Sequence, residues 1–108
     1  MEESEFKTLR ELSKDNTLSQ RDISRKIGLS VGRVNYIIKA LLNKGYIKAQ
    51  RFKNSRNKIA YMYILTPRGI SEKLVQTQMF LTRKTEEYEL LRQEIDQLRR
   101  EDKEISRF

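Results

Sequence analysis

The sequence predicts a mostly helical α+β domain. Three short helices and a two-stranded hairpin come first, followed by one long C-terminal helix able to form a coiled coil. Three observations carry this expectation. Apolar residues recur at helical spacing in three short blocks before residue 45, and each block ends at a polar or glycine stop. Between residues 46 and 65 the pattern changes to two strand-like runs around a polar, basic turn. Beyond Pro67 nothing interrupts a helical pattern except Gly69 near its start.

Each element has its own local signal. Residues 5–14 place Phe6, Leu9 and Leu12 on one helical face, and Asp15-Asn16 stops the helix. Ser19 can cap a second helix, with Asp22 three residues on in the position of a capping-box acid. Ile23 and Ile27 form its apolar face, and Gly28 suits the left-handed position that turns the chain sharply. Leu29 can pack beneath that turn. Ser30 then caps a third helix over residues 31–44, which buries Val34, Ile37, Ile38, Leu41 and Leu42 and ends at Gly45.

Residues 46–52 alternate as a strand, with Ile47, Ala49 and Arg51 on one face and Lys48, Gln50 and Phe52 on the other. Residues 53–58 are polar and turn-prone, and residues 59–65 are rich in strand formers, which together predict a hairpin. Thr66-Pro67 opens the last helix, since Thr can cap and Pro suits the first turn. A stretch such as 69–106 would be about 57 Å long, too long to pack within so small a domain. The expected division is therefore 1–68 for a compact domain and 69–108 for a helix that meets another chain.

Composition narrows the chemistry. The chain has 108 residues, 37% hydrophobic and 35% charged, a mixture suited to a small core rather than to pure disorder. Without Cys there are no disulfides, thiolate chemistry or Cys-type zinc sites; without His, the commonest general base and metal ligand is missing. With 4 Gly and 1 Pro there is neither a GxGxxG nor a P-loop pattern. Neither an enzyme nor a cofactor is expected. No apolar run approaches the ~20 residues of a membrane-spanning helix, and the acidic start Met1–Glu5 lacks the apolar stretch of a secretory signal. A cytoplasmic protein is expected.

The net charge of +8 is unevenly distributed. Residues 1–84 hold 18 Lys/Arg against 7 Asp/Glu, a net of +11, whereas residues 85–108 hold 5 against 8, a net of −3. A basic body with an acidic tail points to a polyanionic partner for the body and a separate role for the tail.

The segment 19–44 is the most informative. Two short helices joined by a glycine turn set the second at a steep angle to the first, so that its N-terminal half projects. Such a helix fits the DNA major groove, where Arg33, Asn35 and Tyr36 could reach base edges, helped by Ser30, Gly32 and Lys39. An ordinary three-helix core with a polar outer face would show a similar pattern. The hairpin adds weight: Lys44, Lys48, Arg51, Lys53, Arg56 and Lys58 stand there without a single acid. A basic hairpin beside a recognition helix has the layout of a winged helix, with Lys53, Arg56 and Lys58 on the DNA backbone and minor groove. A hairpin charged against edge-to-edge aggregation is the alternative.

In order along the chain, Leu29-Ser30, Lys44-Gly45-Tyr46-Ile47, Asn54-Ser55-Arg56-Asn57-Lys58 and Leu65-Thr66-Pro67-Arg68-Gly69 resemble the MarR-type winged-helix transcriptional regulators. The resemblance covers roughly residues 4–70. It implies that Asn35 and Tyr36 face the major groove and that Arg56 enters the minor groove. The family usually has Asp at the position of Asn54. The chain also looks like a short variety of the family associated with exopolysaccharide gene clusters. Typical members bring an additional N-terminal helix and two C-terminal helices to a dimer interface, often beside a ligand pocket, where this sequence has one continuous C-terminal pattern.

That pattern is a heptad seam. Leu74, Leu81, Tyr88, Ile95 and Asp102 occupy a, while Ile70, Thr77, Lys84, Leu91, Leu98 and Ile105 occupy d. Dimerisation is expected through Leu74, Leu81, Tyr88, Leu91, Ile95, Leu98 and Ile105. In a parallel pair the flanking Glu87 and Glu94 at g meet Arg92 and Arg99 at e of the partner helix, whereas an antiparallel pair sets acid on acid and base on base. The expectation is a parallel homodimer that binds double-stranded DNA at a pseudo-palindromic operator and regulates transcription. Two other readings fit the chain: a winged-helix protein-interaction module, and an architectural or replication-fork DNA binder with little sequence preference.

Overall fold

The computed structural model describes residues 1–53 and 55–105; the tip residue Asn54 and the expected helix end at Ser106 lie outside the described residues. Along the chain come α1 (Glu3–Lys14), α2 (Gln20–Ile27), α3 (Val31–Asn43), β1 (Ile47–Lys53), β2 (Ile59–Leu65) and α4 (Pro67–Ile105). The architecture is the expected α+β winged helix: three helices, a two-stranded antiparallel wing and a long C-terminal helix. The chain divides into two compact units, residues 1–76 and 77–108.

In the first unit, α1, α2 and α3 enclose one core of Leu9, Leu12, Leu18, Ile23, Val34, Ile37, Ile38 and Leu41, closed below by Ile47. Burying each of these aliphatic side chains stabilises the fold by ~1.5–3 kcal/mol. Ile27 and Leu42, expected in the core, are half-buried and pack on its margin. The capping signals operate as the residue types dictate. The Ser19 hydroxyl accepts the Asp22 N–H while the Asp22 carboxylate accepts the Ser19 N–H, a reciprocal box at the start of α2. Gly28 ends that helix at φ 72°, where a side chain would be strained.

The first strand starts one residue later than the alternation suggests. Gly45 N–H donates to the Leu42 carbonyl and Tyr46 N–H to the Leu41 carbonyl, so both close the end of α3. The Tyr46 N–H is thereby unavailable to the sheet ladder, which begins at Ile47↔Leu65 and runs to Lys53↔Ile59. Lys53, expected in the turn, is the last strand residue. Asn57 turns the tip at φ 59°, a left-handed conformation that Asn tolerates well.

The first compact unit takes in the start of α4, which is tied down at Thr66 and Gly69. Thr66 N–H donates to the Tyr46 carbonyl (3.0 Å), its hydroxyl donates to the Gly45 carbonyl (2.6 Å), and the same oxygen accepts the Gly69 N–H as a helix cap (3.0 Å). In the second unit, the described residues 77–105 are all helical. Phe80 is buried there with the Arg83 guanidinium 4.7 Å from its ring centre, and every described residue from 81 onward is exposed.

Candidate nucleic-acid interface

From residue 23 to residue 71 the sequence contains 11 Lys/Arg and no Asp or Glu. That acid-free stretch comprises most of α2, the whole of α3, both strands and the first turn of α4. A surface built from it carries a positive potential that only groups from outside the stretch can neutralise.

The N-terminal half of α3 is built on its cap. The Ser30 hydroxyl accepts the Arg33 N–H at 3.1 Å, so its acceptor capacity serves the helix start. Val34, Ile37, Ile38 and Leu41 turn inward, which leaves Gly32, Arg33, Tyr36 and Lys39 exposed on the other side. No atom lies within 4 Å of where a Gly32 Cβ would stand, so the backbone there is open to close approach. Tyr36 is 63% exposed, and the Arg33 guanidinium lies 5.5 Å from its ring centre. That stacking pre-orders two long side chains on a single face.

Arg33 and Asn35 have side-chain partners from other parts of the chain. Arg33 pairs with the Glu2 carboxylate at 3.2 Å, so an acid from the N-terminus reaches a helix that has none of its own. Asn35 is half-buried, and its Nδ2 donates to Gln20 Oε1 at 3.2 Å. Gln20 Nε2 donates in turn to the Tyr63 hydroxyl at 3.2 Å, linking α3, the first residue of α2 and the wing strand β2. Asn35 is therefore held from behind.

In the wing, Lys53, Arg56 and Lys58 are all exposed. The register adds residues that periodicity had not singled out as a set. Directly paired residues share a sheet face, so Ala49 and Tyr63, Arg51 and Tyr61, and Lys53 and Ile59 continue the face that starts in the core with Ile47 and Leu65. Arg51 and the half-exposed Tyr61 thus belong to the same face as the Tyr63 that meets Gln20. Counting outward by twos from Tyr63 would have found them. Gln20 and Glu2 had no local signal.

Three ionisable groups brace this frame. Asp22 sits below its ordinary carboxylate value chiefly because it accepts the Ser19 N–H, and Asp15 sits below its own because the Thr17 hydroxyl donates to it. Lys44 is raised by its hydrogen bond to the buried Glu5 carboxylate at 2.8 Å, which anchors the end of α3 to α1. Among the described residues no acidic cluster could hold a metal ion, and no helix is long and apolar enough to cross a membrane.

On the second unit, Leu81, Tyr88, Leu91, Ile95, Leu98 and Ile105 are between 40% and 72% exposed; Leu74, in the first unit, is 63% exposed. The flanking charges pair within the chain, Lys84 with Glu87 and Arg92 with Glu89, both at 3.2 Å on the surface.

Residues 1–48 match the family described as winged helix-turn-helix DNA-binding. Solved structures share the fold. A MarR/EmrR family transcriptional regulator from Acinetobacter sp. ADP1 is 26% identical with a TM-score of 0.66, over 80% of this chain and 59% of that one. MepR of Staphylococcus aureus in complex with DNA is 21% identical with a TM-score of 0.65, over 78% and 60%. A MarR transcriptional regulator from Methanosarcina mazei Go1 is 22% identical with a TM-score of 0.61, over 73% and 55%. The chain thus spans less than two thirds of the length of these regulators. No curated protein matches it.

Proposed function

We propose that this chain, whose residues 1–48 match the winged helix-turn-helix family and whose fold is shared with MarR-type regulators, is a sequence-specific, homodimeric DNA-binding regulator of transcription acting in the cytoplasm without a cofactor. The observation that carries the proposal is the acid-free stretch 23–71, which forms an exposed Arg33–Tyr36 face on α3 and a basic wing on the same compact unit. Asn35, with one amide hydrogen on Gln20, retains an N–H and its carbonyl oxygen for a base edge. Arg33 can pair a guanine bidentately once Glu2 is displaced, and Tyr36 meets phosphate or a thymine methyl. Ser30, Gly32 and Lys39 surround this face, and Lys53, Arg56 and Lys58 hold the wing on the backbone and minor groove. The MepR complex with DNA, a protein of the same fold, supports this reading.

The dimer forms through a parallel coiled coil of α4, along Leu74, Leu81, Tyr88, Leu91, Ile95, Leu98 and Ile105. Seven apolar side chains at heptad spacing, all exposed in the single chain, support this assignment. The intrachain Lys84–Glu87 and Glu89–Arg92 pairs are surface contacts worth at most ~1 kcal/mol each, so they exchange readily for the Glu87–Arg92 and Glu94–Arg99 contacts of a parallel pair. Two-fold symmetry then requires a pseudo-palindromic operator.

A titration of the DNA upstream of its own gene against random duplex tests the proposal. Asn35→Ala and Tyr36→Ala should each lower specific affinity by ~1–3 kcal/mol and barely change binding to random duplex. Arg56→Ala should weaken both and flatten the salt dependence. Equal losses on both duplexes in the Asn35 and Tyr36 variants would refute the base-reading assignment.

A further inference from the structure

We propose that Gln20 is a positioning residue for sequence recognition: held by the wing-strand Tyr63, it fixes the orientation of the Asn35 carboxamide and so decides which base Asn35 prefers. The proposal rests on the reading of α3 as the base-reading helix. Three side chains from three elements carry it. Gln20 is the first residue of α2, directly after the Ser19 cap, so its backbone is fixed by the reciprocal Ser19–Asp22 box. Its Oε1 accepts from Asn35 Nδ2, and its Nε2 donates to the Tyr63 hydroxyl, each at 3.2 Å. All three residues are half-buried, which limits the competition from water.

The chemistry follows from what an amide can present. Asn offers one carbonyl acceptor and two N–H donors, and a half-turn about its last bond exchanges the two ends. An adenine edge offers an acceptor at N7 and a donor at N6, so it asks for one N–H and one carbonyl oxygen side by side. With Nδ2 committed to Gln20 by one hydrogen, Asn35 keeps one N–H and the oxygen in a set order. Without Gln20 the amide populates both orders, and a base that needs the reverse arrangement is accepted as well. Base preference would fall while the charge and the phosphate contacts stay the same. Tyr63 acts one step further back: its hydroxyl ties Gln20, and it stands opposite Ala49 on the sheet face that leads out to Arg51 and Tyr61.

The test is selection of bound duplexes from a randomised pool by the full-length protein. The wild-type motif is compared with that of Asn35→Ala, which identifies the positions that depend on Asn35. Gln20→Ala should lose preference at those same positions by at least about fivefold and keep it elsewhere, with affinity for random duplex unchanged. Gln20→Glu is the discriminating variant. Its carboxylate still accepts from Asn35 Nδ2 and from the Tyr63 hydroxyl, so the preference should persist while affinity for every duplex falls through repulsion from phosphate. Tyr63→Phe, which keeps the ring and its packing, should loosen the same positions to a lesser degree and serves if Gln20→Ala folds poorly. Retained preference in Gln20→Ala and Tyr63→Phe, or loss of preference in Gln20→Glu equal to that in Gln20→Ala, overturns the proposal. If the wild type enriches no motif, or Asn35→Ala leaves it unchanged, the base-reading assignment itself fails, and the role of Gln20 falls with it.

Discussion

Substituting Gly69 by Ala tests the close approach of α4 to the Tyr46 backbone, and the sign of the effect is opposite to what helix propensity dictates. Gly69 lies in the first turn of α4, where Ala for Gly should stabilise a helix by ~0.5–1 kcal/mol. A Cβ on Gly69 would stand 1.9 Å from the Tyr46 carbonyl oxygen and 2.8 Å from its carbon. Carbon and oxygen approach no closer than ~3.3 Å without cost, so the two backbones must separate by more than ~1 Å. Tyr46 cannot yield easily. Its N–H closes α3 on the Leu41 carbonyl, and its carbonyl accepts the Thr66 N–H, both at 3.0 Å. The Thr66 hydroxyl bond to the Gly45 carbonyl and the Arg68 guanidinium, 5.5 Å from the Tyr46 ring centre, depend on the same spacing. Two hydrogen bonds at ~1 kcal/mol each and an overpacking cost of ~1–3 kcal/mol outweigh the gain in propensity. The expected net loss is ~2–4 kcal/mol. Urea unfolding of the full chain reads it as a lower midpoint. Gly32→Ala is the control: nothing lies within 4 Å of its added carbon, so its midpoint should stay level or rise. A midpoint for Gly69→Ala at or above wild type would refute the argument.

Other expectations concern binding, assembly and acid stability. Glu2→Gln frees Arg33 from its 3.2 Å pair, and duplex affinity should rise up to about fivefold, as suits an exposed ion pair; unchanged or weaker binding in a fluorescence titration would mean that Glu2 does not compete with DNA. Leu91→Asp places a charge in the seam between Tyr88 and Leu98, and sedimentation should show a folded monomer with reduced operator discrimination; a dimer that persists puts the interface elsewhere. Asp22 has a folded value below its ordinary 3.8, so its stabilisation is complete above that pH and fades as pH falls through the lower folded value. Asp22→Asn should therefore be less stable than wild type near neutrality, and the gap should close below pH 3.8; a gap that stays constant in acid would remove the carboxylate from the account.

Much of the fold was legible because its punctuation is local. Ser19 and Asp22 satisfy each other three residues apart, Gly28 and Gly45 supply left-handed turns beside the helices they end, and Thr66 caps the helix that Pro67 begins. These bonds span a few residues, so residue types and spacing are enough to reveal them. Helical period likewise marked Val34, Ile37, Ile38 and Leu41 as core, and by subtraction exposed Arg33, Tyr36 and Lys39. Other features depend on neighbours far along the chain. Tertiary packing brought Gln20 between Asn35 and Tyr63, 15 and 43 residues away, and set Glu2 on Arg33, 31 residues away. It also gave Tyr46 to the end of α3 rather than to the sheet, and made Gly69 a packing requirement rather than a weak helix residue. Period and propensity describe how a segment relates to itself. Which distant groups share a partner is decided only when the helices and the wing close on one core, because each hydrogen bond there is set by the positions of two backbones at once.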